Sequence, residues 1–253
     1  MSRAGRTVRM QQSRPAGGGD RSEGRYTYRH PRPSVAVDIT VFRMVDERLC
    51  VLLVRRGREP FAGHWALPGG FVDIDESLED AARRELVEET AVADVWLEQL
   101  YTFGEPGRDP RGRVISVAYY ALIPADRTVQ PEAGDDADQV RWVPADDPPA
   151  LAFDHNEVLR CAVGRLRTKL EYTTAGFALL PSTFTLSQLQ RVYEAVLGRT
   201  LDKRNFRRKV LMLNILKPTD RTHRDGRHRP AKLYRLAQRR FENLKDRGIL
   251  FPF

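Results

Sequence analysis

The sequence has few cysteines and no long apolar segment. Cys50 and Cys161 are its only cysteines, and no Cys-x-x-Cys spacing occurs. Both are therefore expected to be ordinary reduced core residues rather than parts of a disulfide framework or a thiolate site. No stretch is long and apolar enough to span a bilayer, and the start lacks the apolar segment of a secretory signal. We expect a soluble cytoplasmic protein with no membrane partner.

Acidic residues are also scarce at the C-terminal end. Residues 201–253 contain 16 Lys+Arg and 5 Asp+Glu, a net charge of +11, whereas residues 1–200 contain 26 and 29, a net charge of −3. A basic surface confined to one end predicts a polyanionic partner, because neutralising phosphates releases condensed counterions. Double-stranded DNA is the first candidate. RNA, an anionic membrane or a merely soluble basic surface are the alternatives.

The length and apolar content predict two domains. Residues 1–33 are polar and rich in Gly and Arg, which predicts a disordered basic tail. Residues 34–153 are predicted to form an α/β domain, with strands near 34–42, 49–54, 65–72, 95–101, 114–123 and 139–143 and a helix at 77–90. The Asp46-Glu47 turn is predicted to join the first two strands, and Ser77 to be the N-cap of the helix, with Asp80 in a capping-box arrangement. Apolar residues at helical spacing predict a bridging helix within 154–172, and residues 173–253 form the second domain.

Three carboxylates share one face of the predicted helix at 77–90. Glu85, Glu88 and Glu89 occupy positions i, i+3 and i+4, where like charges repel unless a cation compensates them. Mg²⁺ is suited to this role, since it binds a few carboxylates and takes other ligands from water and substrate phosphates. The alternative is a solvated acidic helix face.

The segment from Gly70 to Val92 resembles the Nudix box, Gly-x5-Glu-x7-Arg-Glu-apolar-x-Glu-Glu-x-Gly-apolar, at eight of nine specified positions, the exception being Ala91. The resemblance implies an α/β/α sandwich around a mixed sheet. It also implies that Glu85, Glu88 and Glu89 hold Mg²⁺ or Mn²⁺, that Arg84 orients a glutamate, and that Gly70 permits the loop turn. Ala91 stands at the helix end, where left-handed geometry costs an L-residue about 1–2 kcal/mol, so we expect a shifted loop.

A second candidate ligand segment is the turn-rich loop at 104–113. It contains Arg108, Arg111 and Arg113, and arginine suits bidentate phosphate contact. The alternative is a charged surface hairpin. With the following residues 114–120, the loop resembles the corresponding part of ADP-ribose-type Nudix proteins, which implies contact with the nucleotide. We expect His155 to help cap the bridging helix, and Trp65 and Trp142 to be core aromatics.

The second domain is predicted to be a winged helix. An apolar face at 186–197 ends at Gly198, Asp202 can cap a second helix reaching Met212, and two strands at 215–218 and 232–236 flank a hairpin with a central Asp225-Gly226. The second helix and the hairpin are predicted to contact DNA through basic and amide side chains: Lys203, Arg204, Asn205, Arg207, Arg208, Arg224 and Arg227.

The segments at 184–194 and 201–209 are similar to the winged-helix part of Nudix-related transcriptional regulators of NAD metabolism. This resemblance implies a homodimer that binds palindromic operators and responds to ADP-ribose or a related nucleotide. The predicted function is therefore a DNA-binding regulator with a nucleotide-sensing Nudix domain. The alternative is a Mg²⁺-dependent pyrophosphohydrolase that cleaves ADP-ribose to AMP and ribose 5-phosphate, and a bifunctional protein is consistent with both.

Overall fold

The computed structural model describes residues 29–93, 95–127, 137–224, 230–237 and 239. Most of the predicted basic tail, residues 1–28, lies outside this part. The N-terminal half is built on a seven-stranded sheet with the order β3-β2-β1-β6-β5, with β4 paired to β1 and β7 paired to β2. Its strands are β1 (Ser34–Val45), β2 (Arg48–Arg56), β3 (Trp65–Ala66), β4 (Gly69–Phe71), β5 (Leu97–Phe103), β6 (Val114–Ile123) and β7 (Ala137–Pro144).

The sheet is mixed, as predicted, because β1 and β6 run parallel while the other pairs run antiparallel. The predicted turn between β1 and β2 has positive φ at both Asp46 (46°) and Glu47 (65°). A two-residue turn with positive φ at both positions matches the right-handed twist of the strands it joins. The hairpin therefore brings β2 directly beside β1.

Both faces of the sheet are covered, which explains why β2 is a continuous apolar run. Val51 and Leu53 pack into one core cluster, whereas Leu52 between them packs into a second cluster on the other face. Helix α1 (Leu78–Thr90) covers this second face through Ala81, Ala82 and Leu86. Helix α2 (His155–Leu170) contributes to the first cluster, on the opposite face.

The start of α1 confirms the predicted N-cap but not the predicted capping box. The Ser77 hydroxyl accepts a hydrogen bond from the Asp80 amide at 3.1 Å and donates to the Asp80 carboxylate at 2.7 Å. The Asp80 side chain thus binds the hydroxyl of Ser77, whereas a capping box requires it to bind the Ser77 amide. Trp65 and Trp142, predicted as core aromatics, are only half-buried, and the Arg141 guanidinium stacks on the Trp65 ring at 4.0 Å.

The C-terminal part has the predicted winged-helix elements. They are α3 (Ala175–Ala178), α4 (Leu186–Leu197), α5 (Lys203–Met212), β8 (Leu216–His223) and β9 (Ala231–Leu236). Gly198 ends α4 at φ 70°, and the Asp202 side chain caps α5 by accepting the Asn205 amide. The short helix α3 was not predicted. The hairpin tip, including the predicted Asp225-Gly226 turn and Arg227, lies outside the described residues.

One apolar core joins the two parts of the chain. The same cluster contains Val51 of β2, Leu166 of α2, Val196 of α4 and Phe206 of α5. In addition, the Arg167 Nε atom of α2 donates to the Val196 carbonyl of α4 at 2.8 Å. The winged helix is therefore packed on the sheet and on α2. In the described part of the chain, no helix is both long and apolar enough to cross a membrane.

The end of α1 generates a stability prediction. Ala91 adopts φ 55° and ψ 15° and donates its amide to the Val87 carbonyl, so the expected strain is carried by Ala91 itself. We expect Ala91→Gly to raise the free energy of unfolding by about 1 kcal/mol, since glycine occupies this region without a Cβ clash. Urea denaturation of the full chain measures the change.

Ala93→Gly is the matched control, because Ala93 is exposed and outside the helix but is not among the residues with positive φ. At that position glycine only increases the conformational freedom of the unfolded chain, so the free energy of unfolding should fall by about 0.4–1 kcal/mol. Equal changes in the free energy of unfolding in the two variants would contradict the presence of backbone strain at Ala91.

Candidate functional site

Strand β4 and helix α1 bring the residues of the Nudix segment together. A Cβ atom on Gly70 would lie 2.2 Å from the Glu85 Oε1 atom, so glycine leaves room for that carboxylate in its observed position. Gly70 is not among the glycines with positive φ, and its role is thus close approach rather than the predicted loop turn. The neighbouring Gly69 amide donates to the Glu89 Oε2 atom at 3.0 Å.

Arg84 lies at the centre of the acidic cluster. Its Nε and Nη2 atoms donate to Glu76 at 3.0 and 2.6 Å. Its Nη1 atom donates to Glu85 at 2.8 Å and to Glu88 at 3.2 Å. The guanidinium is thus hydrogen-bonded to three carboxylates, an arrangement suited to the predicted orienting role.

The two glutamates that Arg84 contacts most closely have opposite pKa shifts. The hydrogen bond from Arg84 lowers the pKa of Glu76. Burial raises the pKa of Glu85, and the contacts with Arg84 do not offset it. The bond to Glu76 in turn raises the pKa of Arg84 above its usual range. A further positive charge near Glu85 would therefore stabilise its charged form.

The predicted metal ligands differ in how available they are. Glu85 is mostly buried and bonded to Arg84, whereas the Glu88 side chain is 59% exposed. Among the residues that the structure describes, no three His, Cys, Asp or Glu side chains converge as a preformed metal site. The carboxylate oxygens of Glu85, Glu88 and Glu89 nevertheless fit a hard divalent cation, because oxygen ligands are the ones that Mg²⁺ prefers.

The loop between β5 and β6 places its three predicted phosphate-binding arginines differently. Arg111 is 44% exposed, pairs with Asp109 at 2.6 Å and stacks on Phe71 of β4 at 4.7 Å. Arg113 is exposed and donates to the Gly104 carbonyl. Arg108 is only 4% exposed and points inward. Arg111 is therefore the loop arginine that is both exposed and next to the Nudix segment.

The partners of Arg108 were not predicted from the sequence. Its Nε and Nη2 atoms donate to both oxygens of Asp154 at 2.8 and 2.6 Å, and Nη2 also donates to Asp38 at 3.0 Å. The Ser116 hydroxyl donates to the same Asp38 oxygen at 2.5 Å. A signal was present, because Asp38 stands between Val37 and Ile39 of an apolar stretch of β1, and a buried charge requires a partner.

His155 is not a helix cap. It is buried, and its Nδ1 atom accepts the Leu67 amide at 2.9 Å, so it supports the segment leading into β4. Asp154 holds the N-cap position without a side-chain capping bond, since its carboxylate is bonded to Arg108. The prediction of a capping role for His155 was wrong because long-range partners bind both side chains.

Helix α5 exposes three of the residues predicted to contact DNA and half-buries the other two. Phe206 and Val210 are buried, and the exposed basic residues on the helix are Lys203, Arg204 and Arg208. Asn205 is half-buried and accepts a hydrogen bond from Arg208 at 2.8 Å. Arg207 is half-buried and donates to Ser187 of α4 at 3.0 Å. Arg224, at the end of β8, is exposed.

Two family models match this chain: the NUDIX domain at residues 32–161 and the NrtR DNA-binding winged helix domain at residues 176–236. The ADPR responsive transcriptional repressor NtrR of Acinetobacter baylyi is 37% identical over 227 residues, which are 88% of this chain and 87% of that protein. The ADP-ribose pyrophosphatase of Methanocaldococcus jannaschii is 37% identical over 128 residues, 51% of this chain and 72% of the relative.

Solved structures agree with these matches. Shewanella oneidensis NrtR complexed with a 27mer DNA matches with a TM-score of 0.67 and 38% identity, over 86% of this chain and 97% of that one. The NUDIX domain of the same protein complexed with ADP ribose matches with a TM-score of 0.50 and 40% identity, over 54% of this chain and 90% of that one. The chain therefore belongs to the NrtR family, in which a NUDIX domain is joined to a DNA-binding winged helix.

Proposed function

We propose that this protein is a DNA-binding transcriptional regulator whose Nudix domain senses ADP-ribose or a related NAD-linked nucleotide. The observation that carries the proposal is the exposed basic face of α5, packed through Phe206 into the core that also contains the Nudix sheet. The similar Acinetobacter protein is named an ADPR responsive repressor, and the Shewanella relative has structures with DNA and with ADP ribose. The similarity covers both domains.

The nucleotide site is proposed at the Nudix segment. Nudix hydrolases typically use divalent metal ions, and we propose Mg²⁺, with Mn²⁺ as the alternative, held by Glu85, Glu88 and Glu89. When bound, such an ion would neutralise the charge of a diphosphate. Exposed Glu88 would exchange its contact with Arg84 for the ion, while Arg84 retains Glu76. Arg111 is positioned next to this segment to bind a phosphate oxygen.

The DNA site is proposed on α5 and the β8–β9 wing. Arg204, Arg208 and Asn205 would reach base edges in the major groove, and Lys203 and Arg224 would hold phosphates. Arg207 and Arg227 stay predictions, since Arg207 is bonded to Ser187 and Arg227 lies outside the described residues. A homodimer would place two such helices on a palindromic operator. The cytoplasm, where a regulator meets its operator, remains the predicted location.

DNA binding is tested with the double variant Arg204→Ala/Arg208→Ala. We expect binding to weaken by about 1–3 kcal/mol for each base-reading arginine. If either arginine also binds a phosphate, its removal should flatten the plot of log affinity against log salt by about one unit. Fluorescence anisotropy with a duplex that the protein selects from a random-sequence library measures both quantities.

The charge-matched control is Arg58→Ala/Arg160→Ala, which removes the same charge from exposed positions outside the winged helix. Its DNA affinity should stay close to that of the parent protein. Equal decreases in affinity in the two double variants would show that net charge alone, rather than the face of α5, determines binding, and would overturn the proposed interface.

Hydrolysis is the second candidate function, and the observation that favours it is the complete set of Glu85, Glu88 and Glu89 beside Gly70. In that case the ion would also activate a water for attack on phosphorus, and one glutamate would serve as base. The products of ADP-ribose would be AMP and ribose 5-phosphate. The Nudix box has glycine where this chain has Ala91. Glycine carries no side chain, so the replacement by alanine removes no metal ligand.

The variant Glu88→Gln/Glu89→Gln tests this activity. If the parent protein turns over ADP-ribose with Mg²⁺, we expect the rate of the variant to fall at least about 100-fold, since two proposed ligands become neutral amides. Release of AMP, followed by chromatography, measures it. Glu79→Gln is the control, because Glu79 lies on the same helix but pairs with Arg83. Unchanged turnover in the double variant would rule out these ligands.

A further inference from the structure

A buried cluster of polar side chains lies between the loop at 104–113, the sheet and the start of α2. It consists of Asp38, Arg108, Ser116, Asp154 and His155. The side chains of Asp38, Arg108 and His155 are 8%, 4% and 5% exposed. Burial alone would raise the pKa of Asp38, but His155, Arg108 and Ser116 outweigh it and hold that pKa well below its usual range. Asp38 is therefore a buried anion held by these partners.

The hydrogen bonds of His155 determine its tautomer. The Nδ1 atom accepts the Leu67 amide at 2.9 Å, so it carries no hydrogen. The hydrogen is then on Nε2, which faces the Asp38 Oδ1 atom at 3.3 Å. A ring flip would break the bond with Leu67 and remove this contact. His155 thus connects the first turn of α2 to Asp38 and to the backbone just before β4.

The cluster is connected to the loop at 104–113, the segment that carries Arg111. Arg108 belongs to the same loop as Arg111, and Asp109 between them is buried and bonded to the Arg111 backbone and guanidinium. Arg111 also lies over Phe153, at 5.6 Å, which directly precedes Asp154 in the chain. A phosphate that draws Arg111 away from Asp109 would consequently shift the loop on which Arg108 is carried.

The cluster also includes the start of helix α2, which packs against α4 of the winged helix. Asp154, which holds Arg108 through two bonds, is the N-cap residue of α2. Farther along α2, Leu166 packs in the core with Val196 of α4, and Arg167 donates to the Val196 carbonyl. A densely packed helix moves as a unit, so a displacement at its first turn reaches α4.

We propose that the pair of Arg108 and Asp154, supported by Asp38 and His155, couples nucleotide occupancy of the loop at 104–113 to the position of α2 and thereby to DNA affinity. In this role Arg108 and Asp154 are positioning residues and contact neither the nucleotide nor the DNA. The inference rests on the proposed function, because it needs a nucleotide that changes DNA affinity. Such a change requires different affinities of the nucleotide for the two states.

The test variant is Asp154→Asn, which keeps the side-chain shape but replaces the ion pair with a neutral amide. The full-length protein is titrated with ADP-ribose, with the selected DNA duplex, and with the duplex at saturating ADP-ribose. We expect the parent to change its DNA affinity about tenfold on ADP-ribose binding, a typical coupling. In Asp154→Asn the affinity for ADP-ribose alone and the affinity for the duplex alone should stay unchanged. The change in DNA affinity caused by ADP-ribose should fall to about twofold or less.

The matched control is Glu157→Gln, the same carboxylate-to-amide change at an exposed position in the first turn of α2. It should keep the full coupling. A second variant, Asp38→Asn, removes the other acid partner of Arg108 and should also weaken the coupling. If Asp154→Asn or Asp38→Asn folds and ADP-ribose still changes its DNA affinity as much as in the parent, the proposal is overturned.

A measurement on the parent protein covers the case in which the variants fail to fold. Hydrogen exchange with and without ADP-ribose should show altered protection both at residues 108–112 and at the first turn of α2. A change confined to the loop would overturn the inference. If the parent does not bind ADP-ribose, or binds it without any change in DNA affinity, the proposed function itself fails, and this outcome is distinct from retained coupling in the variants.

Discussion

The structure depends on the need to cover both faces of one mixed sheet. Helix α1 covers one face and brings the acidic Nudix residues with it, whereas α2 covers the other. Because α2 leaves a further apolar side, α3, α4 and α5 complete the same core through residues such as Phe177, Val192 and Phe206. Apolar burial that stabilises the Nudix domain therefore also determines where the winged helix sits.

Two arginines organise the polar interior in different ways. Arg84 is partly solvated at 29% exposure and contacts Glu76, Glu85 and Glu88, so its contacts can be exchanged for an ion at modest cost. Arg108 is 4% exposed and is bonded to both Asp38 and Asp154, so breaking its contacts would disturb a buried set of charges. The first arrangement suits a site that binds a ligand, and the second suits a rigid connection between elements.

Much of the fold follows from local patterns. Periodicity and capping residues predicted α1, α2, α4 and α5 with their ends close to the observed ones, because Ser77, Gly198 and Asp202 act on their own neighbours in the chain. The parallel pairing of β1 with β6 and the short helix α3 were not predicted. A pairing between strands about eighty residues apart leaves no pattern in the local sequence. The four residues of α3 are too few to show helical periodicity.

The composition of the candidate site follows from the amino-acid sequence alone, since the spacing of Glu85, Glu88 and Glu89 on a helix is set by 3.6 residues per turn. The basic face of α5 follows in the same way. The packing of distant segments was needed to establish that Arg108 turns inward to Asp38 and Asp154, that His155 supports Leu67, and that Arg207 binds Ser187. Burial makes such contacts obligatory only after the sheet and helices have packed.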